Sequence, residues 1–261
     1  ACKSLDENTL HNGRTLAAVV AKFLLKENCD VNSTNLDGQT ALMFLCASRD
    51  TEAQDLQIQV LESGADIEAT DKNGDTPLIY AARNRNASIG KEMAELLFDF
   101  GNPKLEHVNN DGMDNSMIFL NACKNGQKGV VEAFIKKGGL DFNKRDSLGN
   151  TALFYACMKG SKDIVKLLLS NGADCSLANN NSMLPLHAVS KSGNKEIISL
   201  LLNEGADINA TDKEGRTPLI YTLMENRTEA AKLLLEKGAD SQIKDNDGHK
   251  AIDYATANGL R

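Results

Sequence analysis

Apolar residues return along this chain in two alternating patterns. In residues 212–244, DKEGRTPLIYTLMENRTEAAKLLLEKGADSQIK, a short apolar run follows Thr217-Pro218, and a second stripe, Ala230, Leu233, Leu234 and Leu235, stands at helical spacing. The residues around these runs are turn formers: Asp212 and Gly215 ahead, Asn226 between, Gly238 behind. Thr217 offers a helix cap and Pro218 suits the first helical position, where a missing N–H costs nothing. The stretch predicts a turn, a short helix ending about Asn226, and a second helix ending before Gly238.

The pattern recurs. Asn28, Gly64, Gly101, Gly138, Gly172, Gly205 and Gly238 each close an apolar run and stand 36, 37, 37, 34, 33 and 33 residues apart. A unit of this size cannot bury its own stripe, so units must stack on their neighbours. The reading is a single domain, 1–261, built from units at approximately 1–34 (partial), 35–70, 71–111, 112–145, 146–178, 179–211, 212–244 and 245–261 (partial). Thr40, Thr76, Met117, Thr151, Leu184, Thr217 and Lys250 form the cap column. Two residues later Leu42, Leu78, Phe119, Leu153, Leu186, Leu219 and Ile252 are apolar in every unit, which marks them as core.

Thr76-Pro77-Leu78, Thr217-Pro218-Leu219 and Leu184-Pro185-Leu186-His187 follow the T-P-L-H-x-A signature. The chain resembles the ankyrin-repeat family over nearly its whole length. That resemblance implies an all-α repeat solenoid of stacked ankyrin repeats, helix-turn-helix units joined by β-hairpin fingers. It also implies a structural hydrogen bond from His187 near the hairpin, where Leu184 stands in place of the usual threonine, and a concave, partner-binding surface lined by first helices and fingers.

Departures from the period cluster in the N-terminal half. Thr40 to Gly64 and Thr76 to Gly101 span 24 and 25 residues against 21 in the regular units, which predicts enlarged loops between paired helices. Gly101 to Met117 spans 16 against 12, predicting a lengthened finger at 102–116 that is a second candidate binding element. Both ends fall mid-unit: residues 15–27 read as a second helix with a poor first one, and Arg261 falls where another second helix would begin. This is the pattern expected of a fragment of a longer protein or of a disordered tail.

Composition narrows the function. With 41% hydrophobic and 25% charged residues the chain reads as folded, and no apolar stretch is long enough for a membrane span. A net charge of -7 argues against a nucleic-acid surface. The six cysteines form no CxxC pair, and Cys46, Cys123 and Cys157 share one mostly small column, so they read as reduced packing residues of an intracellular, cytoplasmic protein. His11, His107, His187 and His249 fall in different columns, and no phosphate-binding glycine loop occurs, so no catalytic residue, cofactor or metal is expected. Asn32, Asn143 and Asn209 follow Asp-x. The resemblance makes this a hydroxylation position, and a hairpin-closing side chain is the simpler role.

The tyrosines are not scattered. Four residues after the cap column stand Phe44, Tyr80, Asn121, Tyr155, Ala188, Tyr221 and Tyr254, which include every tyrosine of the chain. Three and four residues further on, the same helix face carries Arg83, Lys124, Lys159 and Lys191, a basic stripe in an acidic chain, and is expected to be partly open. Finger acids Asp37, Asp71, Asp75, Asp111, Asp114, Asp146, Asp212, Glu214, Asp245 and Asp247 stand opposite. The resemblance then makes Tyr80, Arg83, Lys124, Tyr155, Lys159, Lys191 and Tyr221 the candidate partner contacts. The expected occupant is an acidic segment of another protein, bound by a monomeric, non-enzymatic scaffold. A structural or tethering segment of a larger multidomain protein is the alternative.

Overall fold

Side-chain oxygens start most of the first helices. Thr40, Thr76, Thr151 and Thr217 accept the amides of Met43, Ile79, Phe154 and Ile220 at 3.4, 3.5, 3.2 and 3.2 Å, and so open α2 (Ala41–Ala47), α4 (Pro77–Ala82), α8 (Ala152–Lys159) and α12 (Pro218–Met224). These bounds come from a computed structural model, which describes residues 16–27, 29–48, 52–84, 86–101, 103, 108–110 and 114–259. The remaining first helices are α6 (Asn115–Asn125), α10 (Pro185–Ser192) and α14 (Ala251–Ala257). The second helices are α1 (Leu16–Lys26), α3 (Glu52–Glu62), α5 (Ala87–Phe100), α7 (Lys128–Lys137), α9 (Lys162–Ser170), α11 (Lys195–Asn203) and α13 (Thr228–Glu236).

Where the cap column lacks an oxygen, the chain finds another acceptor. Met117 is inside α6 rather than ahead of it, because Asp114 Oδ1 accepts the Met117 amide at 2.7 Å and moves the helix start upstream. Leu184 cannot cap α10, and the Nδ1 of His187 accepts the Leu184 amide instead, at 3.0 Å. His187 Nε2 then faces the carbonyls of Ala210 and Arg216 at 3.0 and 3.2 Å, so the hydrogen bond implied at this position is made with backbone groups.

The described residues divide into two compact units, Ala1–Ala122 with Gly129–Leu140, and Cys123–Lys128 with Asp141–Arg261. In the first, Phe134 meets Phe98 and Phe119 edge to face at 5.3 and 5.9 Å. The second is built on the buried Leu153, Leu186 and Leu219 together with Ile164, Leu168, Ile197 and Leu201. The predicted core column is buried in both units as far as Leu219. Ile252 is the exception at 61% exposed, since no helix among the described residues follows α14 to cover it.

Each finger whose turn is described is closed by side-chain oxygens, and the described residues contain no strand, only an isolated bridge between Thr34 and Thr40. Neighbouring fingers join through backbone bonds such as Lys72 N–H to Asp37 O and Asn246 N–H to Glu214 O, each 2.9 Å. Asn32, Asn143 and Asn209 reach to the following unit rather than closing their own finger: their Oδ1 atoms accept the amides of Asp66, Asp174 and Asp240 at 2.7, 2.8 and 2.8 Å. On the second helices, Lys128 pairs with Asp163 at 2.9 Å, Lys162 with Glu196, and Lys195 with Glu229 at 3.7 Å. These pairs are solvent-exposed, so each contributes little.

The extra residues of the N-terminal half go partly into helix. The segment between paired helices widens to residues 83–86 from residues 160–161, while α5 runs to 14 residues against nine for α9. The predicted lengthened finger at 102–116 lies largely outside the described residues, as do Asn28 and Asp111.

Gly64, Gly138, Gly172, Gly205 and Gly238 take φ between 74° and 92°, the left-handed turn their spacing implied. Gly101 does not: its backbone is extended, and the Ile67 side chain fills the space a β-carbon would need. Gly90 is a further glycine set by close approach, since a β-carbon there would stand 2.9 Å from the Ala81 carbonyl oxygen. Gly90→Ala is therefore expected to destabilise the protein by about 1–3 kcal/mol, although alanine is the better helix former. A higher urea midpoint for the variant would contradict this packing.

Candidate functional site

The four tyrosines hold the fingers to the helices. In each of the four units an aspartate nine residues earlier turns the finger: Asp71, Asp146, Asp212 and Asp245. The Oδ1 of Asp146 accepts the amides of Leu148 and Asn150 at 2.9 and 2.8 Å, and the Oδ1 of Asp212 accepts those of Glu214 and Arg216 at 3.0 and 2.9 Å. The second oxygen takes the phenol: Tyr155 and Tyr221 each donate to it at 2.5 Å, Tyr80 donates to Asp71 at 2.7 Å, and Tyr254 donates to Asp245. The tyrosines are thus not the open part of this helix face. Tyr155 and Tyr221 are buried, Tyr80 is half-buried, and their hydroxyls are engaged inside the fold.

The same bonds account for the ionisation of these groups. Burial, then the hydrogen bond to Asp71, pushes the Tyr80 phenol up to about 12. Burial and then Asp212 raise Tyr221, and burial and then Asp146 raise Tyr155. At Asp245 burial works upward, but the Tyr254 hydroxyl and the amides of His249 and Asp247 outweigh it and hold the carboxyl below its usual range.

These turns also change the charge pattern. Asp71, Asp75, Asp212 and Asp245 are buried rather than displayed on the fingers, and Asp114 is spent as a helix cap. Among the described residues, the finger acids left exposed are Asp37, Glu214 and Asp247. Asp245, Asp247 and His249 bring three potential ligand atoms within 4.8 Å of one another. The Asp245 oxygens there are already occupied by two amides and the Tyr254 hydroxyl.

Of the predicted basic stripe, Arg83 lies in the first unit, where its guanidinium pairs with buried Asp75, whose other oxygen accepts from Asn109 at 2.6 Å. Lys124, Lys159 and Lys191 lie together in the second unit, exposed, near the C-terminal ends of α6, α8 and α10, where helix dipoles favour cations. Lys124 Nζ stands 5.3 Å from the centroid of the Tyr155 ring, and Lys191 Nζ 4.6 Å from that of Tyr221. Each lysine leans on the tyrosine of the next repeat, a cation–π contact of about 0.5–1 kcal/mol at an exposed site. Lys159 meets no such ring, because the corresponding residue of the next repeat is Ala188, and its stem is near Gly126. Met158 beside it is 46% exposed. The tyrosines are therefore braces beneath a surface whose reachable groups are the lysines and Met158.

Three of the cysteines are packing residues here. Cys46, Cys123 and Cys157 are buried, and burial pushes their thiols well up, away from the reactive thiolate. No helix of the described residues is long and apolar enough to cross a membrane.

The family model described as "Ankyrin repeats (3 copies)" matches residues 17–106, 87–179 and 186–261. The chain belongs to the ankyrin-repeat family. Its fold class is that of an all-α repeat solenoid, and ankyrin repeats are protein–protein interaction modules. Similar proteins include the potassium channel AKT2/3 of Arabidopsis thaliana, 30% identical over 170 residues, which cover 65% of this chain and 20% of the channel. Neurogenic locus notch homolog protein 1 of Homo sapiens is 30% identical over 169 residues, 65% of this chain and 6% of that protein. Ankyrin repeat and SAM domain-containing protein 6 of Rattus norvegicus is 34% identical over 105 residues, 40% of this chain and 11% of that protein. The ankyrin-repeat chain thus matches a fifth or less of the length of each.

Proposed function

We propose that this ankyrin-repeat chain is a non-enzymatic binding module that takes an acidic segment of a partner protein on the first-helix face of its second unit, at Lys124, Lys159 and Lys191. The observation that carries this reading is the set of three exposed ammonium groups, one from each of three successive first helices, two of them positioned on tyrosine rings. A positioned cation loses less side-chain freedom when it pairs, so Lys124 and Lys191 are better suited to bind than freely rotating surface lysines. Tyr155 and Tyr221 act as their supports. Tyr80 and Arg83, committed to Asp71 and Asp75, contribute to the first unit's own finger. The matched relatives are several times longer, which makes a tethering role inside a longer protein the second reading.

Changing Lys124, Lys159 and Lys191 together to glutamate should weaken binding of a fluorescein-labelled glutamate-rich peptide by more than about tenfold at low salt. The three side chains are exposed, so the circular dichroism spectrum should match that of the parent, while loss of the two cation–π contacts lowers the melting temperature modestly. Equal anisotropy titrations for the two proteins would remove the stripe as the binding site. Arg83 is kept out of this variant because reversing it would strand Asp75.

A further inference from the structure

The second unit presents two kinds of group in alternation. Seven residues after the cap column stand Lys124, Met158, Lys191 and Met224, one per repeat, on successive first helices. Both lysines are exposed and ring-supported, Met158 is exposed, and Met224 is half-buried. A segment lying across these helices therefore passes a cation, a flexible apolar side chain, a second cation and a second apolar side chain. Methionine is the apolar residue best able to mould itself to a partner.

The step between these groups is the distance between packed helices, about 8–10 Å. A polyproline II segment rises about 3.1 Å per residue with three residues per turn, so every third side chain points the same way after about 9.3 Å. A β-strand returns to one face after about 6.6 Å or 13 Å, out of step with the repeats. An α-helix returns to one face after one turn, about 5.4 Å, and again after two, about 10.5 Å, and needs room for a body about 10–12 Å wide. A charged segment repels itself into extended form, and a preformed polyproline II rod loses little entropy on binding.

Resting on the reading above, we infer that the second unit recognises an extended, polyproline II segment in which acidic and apolar residues alternate at every third position. The acidic residues pair with Lys124 and Lys191, and the apolar ones pack on Met158 and Met224. Lys159, which no ring fixes, adds charge attraction without setting the register.

The experiment uses labelled peptides that each carry two glutamates and two leucines, on a proline background in the first two and an alanine background in the third, titrated by anisotropy against the full chain. In the first peptide glutamate and leucine alternate at every third position; in the second the two glutamates adjoin and the leucines adjoin; a third is a helical peptide carrying the same alternation at every seventh position. The first is expected to bind about tenfold tighter than either of the others. Met158→Ser should erase most of that advantage while leaving the second peptide unaffected. Equal binding of all three, abolished by the lysine-to-glutamate variant, overturns the register but leaves the acidic site standing, as does tighter binding of the helical peptide. Failure of every peptide to bind overturns the register and the acidic site together.

Discussion

Replacing Asp212 by alanine is expected to destabilise the second unit by about 3 kcal/mol, because one carboxylate satisfies three donors that would otherwise be left inside the fold. Its Oδ1 holds the amides of Glu214 and Arg216, and its Oδ2 holds the buried Tyr221 hydroxyl at 2.5 Å. Asp212→Asn keeps an oxygen for the two amides and turns an N–H toward the phenol, so a smaller loss is expected, about 1 kcal/mol. Tyr221→Phe leaves a buried carboxylate oxygen short of its hydroxyl donor and should cost about 1.5–3 kcal/mol.

The chain itself contains the control. Asn35 turns its finger with the same two bonds, from the amides of Asp37 and Gln39 at 2.9 Å each, and the residue nine positions on is Phe44, which has no hydroxyl to place. Asn179 likewise accepts from Asn181 and Met183, with Ala188 nine positions on. Aspartate thus goes with tyrosine and asparagine with a residue lacking a hydroxyl. The double variant Asp212→Asn with Tyr221→Phe reproduces the Asn35 and Phe44 pair. Its cost should fall short of the sum of the single costs by about 1–2 kcal/mol in urea unfolding followed by circular dichroism. Strict additivity would show that the two side chains act independently.

This pairing was open to inspection in the sequence, as four Asp–Tyr pairs at one spacing, yet a column-by-column reading separates its halves. Tyrosines counted along a helix suggest a surface, and aspartates counted along fingers suggest exposed charge; only their bond shows that each hides the other. The helices, the threonine caps and the core column were legible because they depend on neighbours within a turn or two. The α6 start was not, since Asp114 could be chosen over Met117 only by knowing which oxygen reaches the amide. Lys124 on Tyr155, Lys191 on Tyr221 and the asparagine bonds between repeats join residues roughly 30 positions apart. Their meeting depends on how one repeat sits on the next, which the spacing implies but does not resolve to side chains.

His187 should give the molecule a sensitivity to mild acid. Its ring is fully buried, Nδ1 accepts the Leu184 amide, and Nε2–H donates to the carbonyls of Ala210 and Arg216. Only the neutral ring can do this, because protonated Nδ1 cannot accept. Burial, the largest influence, lowers its pKa below the ordinary 6.5, against the opposing pull of Asp212 and the two carbonyls. A depressed pKa in the folded state means that the stabilisation is fully present above pH 6.5 and is lost as pH falls through the folded value. The carboxylates held low, such as Asp245, lose their contribution only below their ordinary 3.8, so the two windows are separate. His187→Ala is expected to cost about 2–4 kcal/mol at neutral pH, through the lost hydrogen bonds and the cavity, and to flatten the dependence of the urea midpoint on pH just below 6.5. Changing Leu184 to threonine and His187 to isoleucine together installs the pair found at Thr217 and Ile220, with the cap supplied by the hydroxyl. That variant should recover much of the stability lost by His187→Ala while remaining insensitive to pH in the same window. A midpoint that still falls just below pH 6.5 in the double variant would assign the acid response to a group other than His187.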